Sequence, residues 1–423
     1  MAEVIAIDGG YKLNGTVRIS GAKNATVALI PAAVLSDGPV EILGVPEISD
    51  VAALATLLRE LKCDVEIDGE RIKVDPTHME DIPLVSDAVN KLRASYYFMG
   101  ALLGKYKRVK IKMPGGCYLG PRPIDLHLKG FEALGAKITY EDDTYLLEAE
   151  ELVGNSIYLD FASVGATINI MLAAVRAQGK TVIENAAKEP EIIDVANLLT
   201  KMGAKIRGVG TDTITIDGVE HLNGTFHEII PDRIEAGTFL IIAAAAGEKS
   251  DCSKILFLSI LEAFKFLKLK EMGIQMDVVG DSIVVYGREG DLKPVNIKTQ
   301  IYPGFATDLQ QPLTTLLTQA SGDSHVKETI YIERFKHCPQ LNKMGAHIDL
   351  KEAESIIHGA TPLHGTRVEA TDLRCGAALV VAGLIAQGRT EITNVYHIDR
   401  GYDNIDHKLI TLGAHITRYH IDE

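Results

Sequence analysis

Cys117 stands in the run "PGGCYLGPRP" (114–123), where glycines open backbone angles closed to other residues and prolines fix theirs. The run leads into "IDLHLKGFEALGA", which reads as a helix. The thiol therefore belongs on a shaped loop just ahead of a helix N-terminus, a setting that favours a reactive thiolate. The cations Lys23, Arg93, Arg233 and Arg374, with Asn24, Ser163 and Asp308, fall at the starts of apolar helical runs. Helix N-termini present free N–H groups and a positive dipole end, so they suit anionic ligands. Arg122 in "GPRP" and Arg400 in "HIDRGY" lie on loops between a strand and an amphipathic helix. In a chain of net charge −14 these cations mark a local pocket for phosphates or carboxylates, and two kinds of loop are expected to meet in one cleft.

Each residue also has an ordinary reading. A lone cysteine is usually a small core residue, and Lys23 or Arg93 taken singly is a solvated charge. Asp308 in "FATD" suits the N-cap of the helix that follows it, and Asp399 suits a surface pair with its neighbour Arg400. His397 and the other histidines show no ligand spacing and read as structural. The five cysteines are dispersed, with no CxxC pair, so no metal is expected. No GxGxxG fingerprint, GxxxxGK[ST] loop or GxSxG elbow occurs, and no cofactor is expected.

The elements that must position these residues repeat. "EALGAKI", "TKMGAKI", "KEMGIQM", "NKMGAHI" and "ITLGAHI" place glycines at 135, 203, 273, 345 and 413, and "RELKCDV" is a degraded copy with Lys62 in the glycine's place. The period is about 70 residues. Each copy closes an amphipathic helix with a residue suited to the left-handed C′ position, and a short strand follows. Interleaved with these are apolar runs rich in small residues: "KNATVALIPAAVL", "RASYYFMGALLG", "VGATINIMLAAV", "IEAGTFLIIAAAA", "DLQQPLTTLLTQA" and "RCGAALVVAGLIA". Several are apolar nearly all round, which marks helices buried on every side. β-branched runs such as "GTVRIS", "RVKIKM", "TDTITIDG" and "DSIVVYG" read as strands between them.

Six such units imply an α/β fold with helices inside sheets. At 423 residues the chain exceeds a single core, so three units per domain is the expected division. The expected domains are 1–22 with 231–423, and 23–230 carrying the Cys117 loop. The chain crosses at "HEIIPDRIE" and again near residue 21 if the first strand joins the later units. The acidic balance argues against nucleic-acid or anionic-membrane binding. The start "MAEVIAIDGG" lacks a signal-peptide pattern, and the longest apolar stretch is too short to cross a bilayer. A cytoplasmic location with reduced thiols is expected. The oligomeric state is left open, with a monomer as the working expectation.

"LNGTVRISGAKNA", "LRAS", "PGGCYLGPRPIDLHLKG", "SVGAT", "ENAAKEPEIIDVANLL", "PDRIEAGTFL", "DLR" and "YHIDRGYDNI" together resemble the UDP-N-acetylglucosamine 1-carboxyvinyltransferase family of enolpyruvyl transferases, in order from about residue 9 to 418. The resemblance implies a two-domain inside-out α/β barrel of six units, three per domain. It implies transfer of the enolpyruvyl group of phosphoenolpyruvate to the 3′-hydroxyl of UDP-N-acetylglucosamine through a tetrahedral ketal, releasing phosphate. By position it makes Cys117 the proton donor to carbon 3, alkylated by the epoxide fosfomycin, and Asp308 the base. Lys23, Arg122 and Arg400 match the phosphate-binding set, Lys23 and Arg400 also counting as catalytic. Arg374 matches the carboxylate partner, and Asn24 lies beside the same substrate. Asn24, Arg93, Arg122, Pro123, Ile124, Asp125, Leu126, Ser163, Val164, Asp308 and Ile330 match sugar-nucleotide contacts. The loop around Cys117 matches a lid whose glycines are hinges.

Phe161 and Ser49 depart from the family pattern where lysines are usual, and "CSKILFLSILEAFKFLKLKEMG" (252–273) is unusually apolar and lysine-rich. Three rival readings stand beside the transferase. One is a sister enzyme acting on shikimate 3-phosphate, disfavoured by the cysteine loop. Another is a silent UDP-sugar-binding paralogue, disfavoured by the intact Cys117, Asp308 and Arg400, and the third, an RNA 3′-terminal phosphate cyclase of related fold, fits the acidic balance and the site residues poorly.

Overall fold

The computed structural model describes residues 2–115, 124–247, 253–255, 267–286 and 290–421. Cys117, Arg122, Pro123 and most of the 252–273 run lie outside them. The chain forms two compact units. Of the described residues, those up to Ser20 join 231 onward in one, and 21–115 with 124–230 form the other. Gly21 and Ala22 thus pack with the contiguous unit.

In the contiguous unit the helices Lys23–Ala32, Tyr97–Tyr106 and Val164–Ala174 occupy the centre. Every residue from Ala166 to Ala174 is buried, as all-round apolarity requires. The Tyr97–Tyr106 helix lies against both others. Its approach to Val164–Ala174 depends on Gly100, where an added Cβ would fall 2.2 Å from the Asn169 carbonyl oxygen. The Gly100 N–H donates to Asn169 Oδ1 at 2.8 Å, so any larger residue would also displace a buried polar contact. Around these helices lie three sheets, two of four strands and one of three.

The other unit repeats the plan. Arg233–Ala246, Thr307–Leu317 and Leu373–Ile385 form its centre and pack on one another, again with three sheets around them. A four-stranded sheet shows the repeating path. Ser156–Tyr158 pairs parallel with Lys180–Glu184 across the central helix, and an amphipathic helix and an antiparallel pair follow. The amphipathic helices end where the sequence phrases place them. Gly135, Gly203, Gly273, Gly345 and Gly413 have φ between 94° and 112°, and Lys62 takes φ 66° in the degraded copy. A lysine bears a steric cost there that glycine does not.

Two sheets are completed from a distance. Ala2–Asp8 inserts between Arg389–Thr393 and His415–Ile421, antiparallel to both, which joins the first strand to the last repeat. Thr225–Glu228 pairs parallel with Val40–Leu43 of the first. Among the described residues no helix is long and apolar enough to cross a membrane.

Candidate functional site

Asp308 is the second residue of Thr307–Leu317, not its N-cap, and Ala306 at the cap makes no side-chain bond. The carboxylate is instead held by two guanidinium groups. Arg334 Nη1 donates to Oδ1 at 2.7 Å, and Arg374 Nη2 donates to Oδ2 at 3.0 Å. The side chains of Arg334 and Arg374 are 3 % and 2 % exposed, whereas that of Asp308 is 22 % exposed. Two buried cations therefore meet one carboxylate that still reaches solvent. Among the described residues, Nη1 of Arg374 and Nε of Arg334 have no hydrogen-bond partner. A buried donor left unmade costs about 1–3 kcal/mol, so these atoms are prepared for an acceptor that the described residues do not provide.

The helix Leu373–Ile385 positions Arg374. Its cap is Asp372, whose Oδ1 accepts from the N–H groups of Arg374 and Cys375 at 2.9 and 3.0 Å. The guanidinium lies 5.2 Å from the centre of the buried Tyr402 ring, and the Tyr402 hydroxyl bonds Thr238 Oγ1 at 2.8 Å. Burial works against the Arg374 charge, but Asp308, with Tyr402 and Asp232 behind it, overrides that and holds the group above the usual arginine range.

Arg334 is fixed by a second chain of bonds. Its Nη1 also donates to Thr307 Oγ1 at 3.0 Å, and that hydroxyl donates to Glu328 Oε2 at 2.9 Å. Glu328 is 1 % exposed, and its Oε1 accepts from Thr299 Oγ1 at 2.7 Å and from the N–H groups of Ile330 and Tyr331 at 2.8 and 3.1 Å. One buried carboxylate thus sets the backbone of Ile330 and, through Thr307, the guanidinium facing Asp308. Arg334 and Glu328 were not anticipated from the sequence. The pair partner of Arg334 lies 26 residues away, and the stretch "IERFKH" belongs to no repeated phrase.

Arg400 follows the short helix Tyr396–Asp399 and is half-buried. Its neighbour Asp399 is bound to the final strand. Both its oxygens accept from Arg418, at 3.0 and 2.8 Å, and Arg418 also binds Asp406 through two bonds. A guanidinium presents two parallel donors to one carboxylate. The loop carrying Arg400 is thereby tied to the final strand.

In the contiguous unit Lys23 and Asn24 open the first central helix and are half-buried. Lys23 Nζ lies 3.3 Å from Oδ2 of Asp50, whose side chain is 4 % exposed, so Lys23 is held rather than solvated. Arg93 begins a short 3-10 turn, with its guanidinium 5.9 Å from the Tyr96 ring centre. Tyr96 packs edge-on to His127 at 4.8 Å. A Cβ on Gly165 would lie 2.9 Å from both His127 Cε1 and the Tyr96 hydroxyl, which draws the start of the Ser163–Val164 helix to the same spot. Ser163 caps that helix, its Oγ accepting from the Ala166 N–H at 3.3 Å. Ile124 is buried, Leu126 half-buried and Asp125 exposed in the first turn of Asp125–Ala133. Before the Cys117 run, Gly115 passes so close to Asn90 that a Cβ would meet its carbonyl oxygen at 2.0 Å. Phe161 and Ser49 are both exposed.

The described cysteines offer no alternative thiol. Cys63, Cys338 and Cys375 are buried, and burial pushes Cys63 to about 12 and Cys375 to about 11.

His127 is fully enclosed and pushed down to about 3 by burial and then by the Arg93 charge. Burial first, with Arg334 adding to it against Asp372, does the same to His337. Both stay neutral when folded and take up protons when unfolded, so the unfolded state gains stability as pH falls below about 6.5 toward about 3. Unfolding free energy should drop by up to about 1.4 kcal/mol per pH unit for each histidine in that window. Denaturant unfolding at a series of pH values checks this, and His127→Gln should flatten the slope. A profile unchanged by that substitution would mean that His127 titrates normally.

The family model described as EPSP synthase (3-phosphoshikimate 1-carboxyvinyltransferase) matches residues 7–409. A Listeria monocytogenes protein (serovar 1/2a, strain EGD-e) named UDP-N-acetylglucosamine 1-carboxyvinyltransferase 2 is 58% identical over 418 residues, covering 99% of this chain and 98% of that protein. A Bacillus subtilis (strain 168) protein of the same name is 56% identical over 418 residues, covering 98% and 96%. Among solved structures, the enolpyruvyl transferase NikO from Streptomyces tendae superposes with a TM-score of 0.90 at 27% identity, covering 99% of each chain. EPSP synthase from Acinetobacter baumannii shares the fold, with a TM-score of 0.74 at 18% identity over 99% of this chain and 100% of that one. The chain belongs to the enolpyruvyl transferases, within the UDP-N-acetylglucosamine 1-carboxyvinyltransferase family.

Proposed function

We propose that the chain moves the enolpyruvyl group of phosphoenolpyruvate onto the 3′-hydroxyl of UDP-N-acetylglucosamine and releases inorganic phosphate. The observation that carries this reading is the Asp308 carboxylate clasped by Arg334 and Arg374, each with a buried donor unpartnered among the described residues. Asp308 accepts the proton of the sugar hydroxyl, whose oxygen bonds to carbon 2 of phosphoenolpyruvate as Cys117 protonates carbon 3. In the resulting tetrahedral ketal the carbon–oxygen bond to phosphate breaks, carbon 3 gives up a proton and the double bond re-forms. Arg374 takes the carboxylate of phosphoenolpyruvate, and Lys23, Arg122 and Arg400 take its phosphate, so that cations meet the charge that accumulates on the departing group. Asn24, Arg93, the 122–126 segment, Ser163, Val164 and Ile330 serve the sugar nucleotide. Both substrates are water-soluble anions, which suits a cytoplasmic first committed step of peptidoglycan synthesis, independent of membrane or nucleic acid.

The test is phosphate release with both substrates present, read together with intact-protein mass. The wild type should release phosphate only with UDP-N-acetylglucosamine and show mass added at Cys117 with phosphoenolpyruvate. Release with shikimate 3-phosphate instead would assign the sister reaction, and binding without release would make the chain a sensor. Cys117→Ser should lose covalent labelling by fosfomycin. Labelling undiminished in that variant would remove Cys117 from its assigned role.

A further inference from the structure

The geometry points to a binding site for a borderline transition-metal dication of the Zn²⁺ class, formed by His347, Asp349 and His358 on the solvent-exposed face of a sheet. The strands His347–Lys351 and Glu354–His358 form an antiparallel hairpin in which His347 is the direct partner of His358. Asp323, on the neighbouring strand Asp323–Lys327, is the direct partner of His358 from the other side. Asp349 lies two residues beyond His347, on the same face of its strand. The register is fixed from the opposite face, where Ser324, Val326, Ile348 and Ile357 are buried.

One ligand atom from each of His347, Asp349 and His358 lies within 4.8 Å of the others. The two imidazole rings are 4.5 Å apart, and His358 Nε2 stands 3.2 Å from Asp349 Oδ2. Two ligands bound tetrahedrally at zinc distances are separated by about 3.3 Å, so this pair already has the spacing an ion needs. The far side of the ring is also set. Asp323 Oδ1 accepts the His358 Nδ1–H at 2.9 Å, which leaves Nε2, hydrogen-bonded to Asp349 Oδ2 at 3.2 Å, as the nitrogen whose proton an ion would replace. A carboxylate behind a ligating imidazole is the arrangement that fixes tautomer and raises basicity in metal sites.

Two imidazoles and one carboxylate select zinc-class ions over Mg²⁺ or Ca²⁺, which require more oxygen ligands. Farther along the same face His325 is engaged with Glu354 at 2.9 Å, and Lys327 and Lys351 follow. A proton competes for the site, because Asp323 and Asp349 raise the His358 pKa. HxD spacing on one strand becomes a site only when the hairpin returns His358 opposite His347, a pairing that spacing along the chain does not reveal.

The full-length protein, stripped with EDTA and thiol-alkylated, should be titrated with ZnCl₂ by calorimetry beside His347→Asn, His358→Gln and Asp323→Asn. The wild type should show one saturable site. Its affinity should fall at least ~10-fold in His347→Asn and in His358→Gln, and by about 10- to 100-fold in Asp323→Asn. MgCl₂ should give no saturable heat, and phosphate release by unalkylated His347→Asn should match unalkylated wild type. Because His347 is exposed, that variant decides the matter if His358→Gln does not fold. Absence of saturable Zn²⁺ binding, or equal titrations of wild type and His347→Asn, would overturn the assignment.

Discussion

Asp308→Asn should reduce turnover by about 10²- to 10⁴-fold, the usual weight of a positioned general base. The amide keeps the shape of the side chain but cannot take a proton from the sugar hydroxyl. It also leaves Arg334 and Arg374 opposite a neutral group, although both guanidiniums were placed around a full negative charge. Breaking a fully buried pair costs roughly 3–5 kcal/mol, and the partial exposure of Asp308 puts this case below that range. Steady-state phosphate release, with circular dichroism to confirm folding, provides the measurement. Turnover within about threefold of wild type would take Asp308 out of the general-base role.

Arg374→Met should act on the other substrate. Methionine keeps much of the buried volume but removes Nη1, unpartnered among the described residues and proposed to receive a carboxylate. Losing a charge-assisted contact of roughly 2–3 kcal/mol raises KM for phosphoenolpyruvate on the order of 30- to 150-fold. The KM for UDP-N-acetylglucosamine should stay near the wild-type value, because Arg334 still holds Asp308. Arg374→Lys should restore little, since a single ammonium cannot serve Asp308 and a second carboxylate with the fork of a guanidinium. Equal increases in both KM values would mean that Arg374 supports the unit as a whole.

What the sequence made legible was what it encodes locally. Six apolar runs and the terminal glycines are patterns within a few turns of chain, and they correspond to the central helices and their left-handed stops. The polar residues at helix starts were visible for the same reason. Their partners were not. Asp308 read equally well as an N-cap because its two arginines lie 26 and 66 residues away. For Asp399 the sequence offered only its neighbour Arg400, because its partner Arg418 arrives on the last strand. Glu328, Asp50 and His127 are buried polar groups whose importance arises from enclosure, which neither composition nor spacing reveals.

The interleaved first strand gives biosynthesis a direction. Residues 21–230 can close their own core as soon as Thr225–Glu228 emerges to complete the opening repeat's sheet. The segment Ala2–Asp8, made before the residues it pairs with, has its hydrogen-bonding edges matched only when Arg389–Thr393 and His415–Ile421 have been made. Its apolar run "VIAI" must therefore be carried unpaired while the intervening residues are made, an interval in which an open strand edge is exposed to neighbouring chains.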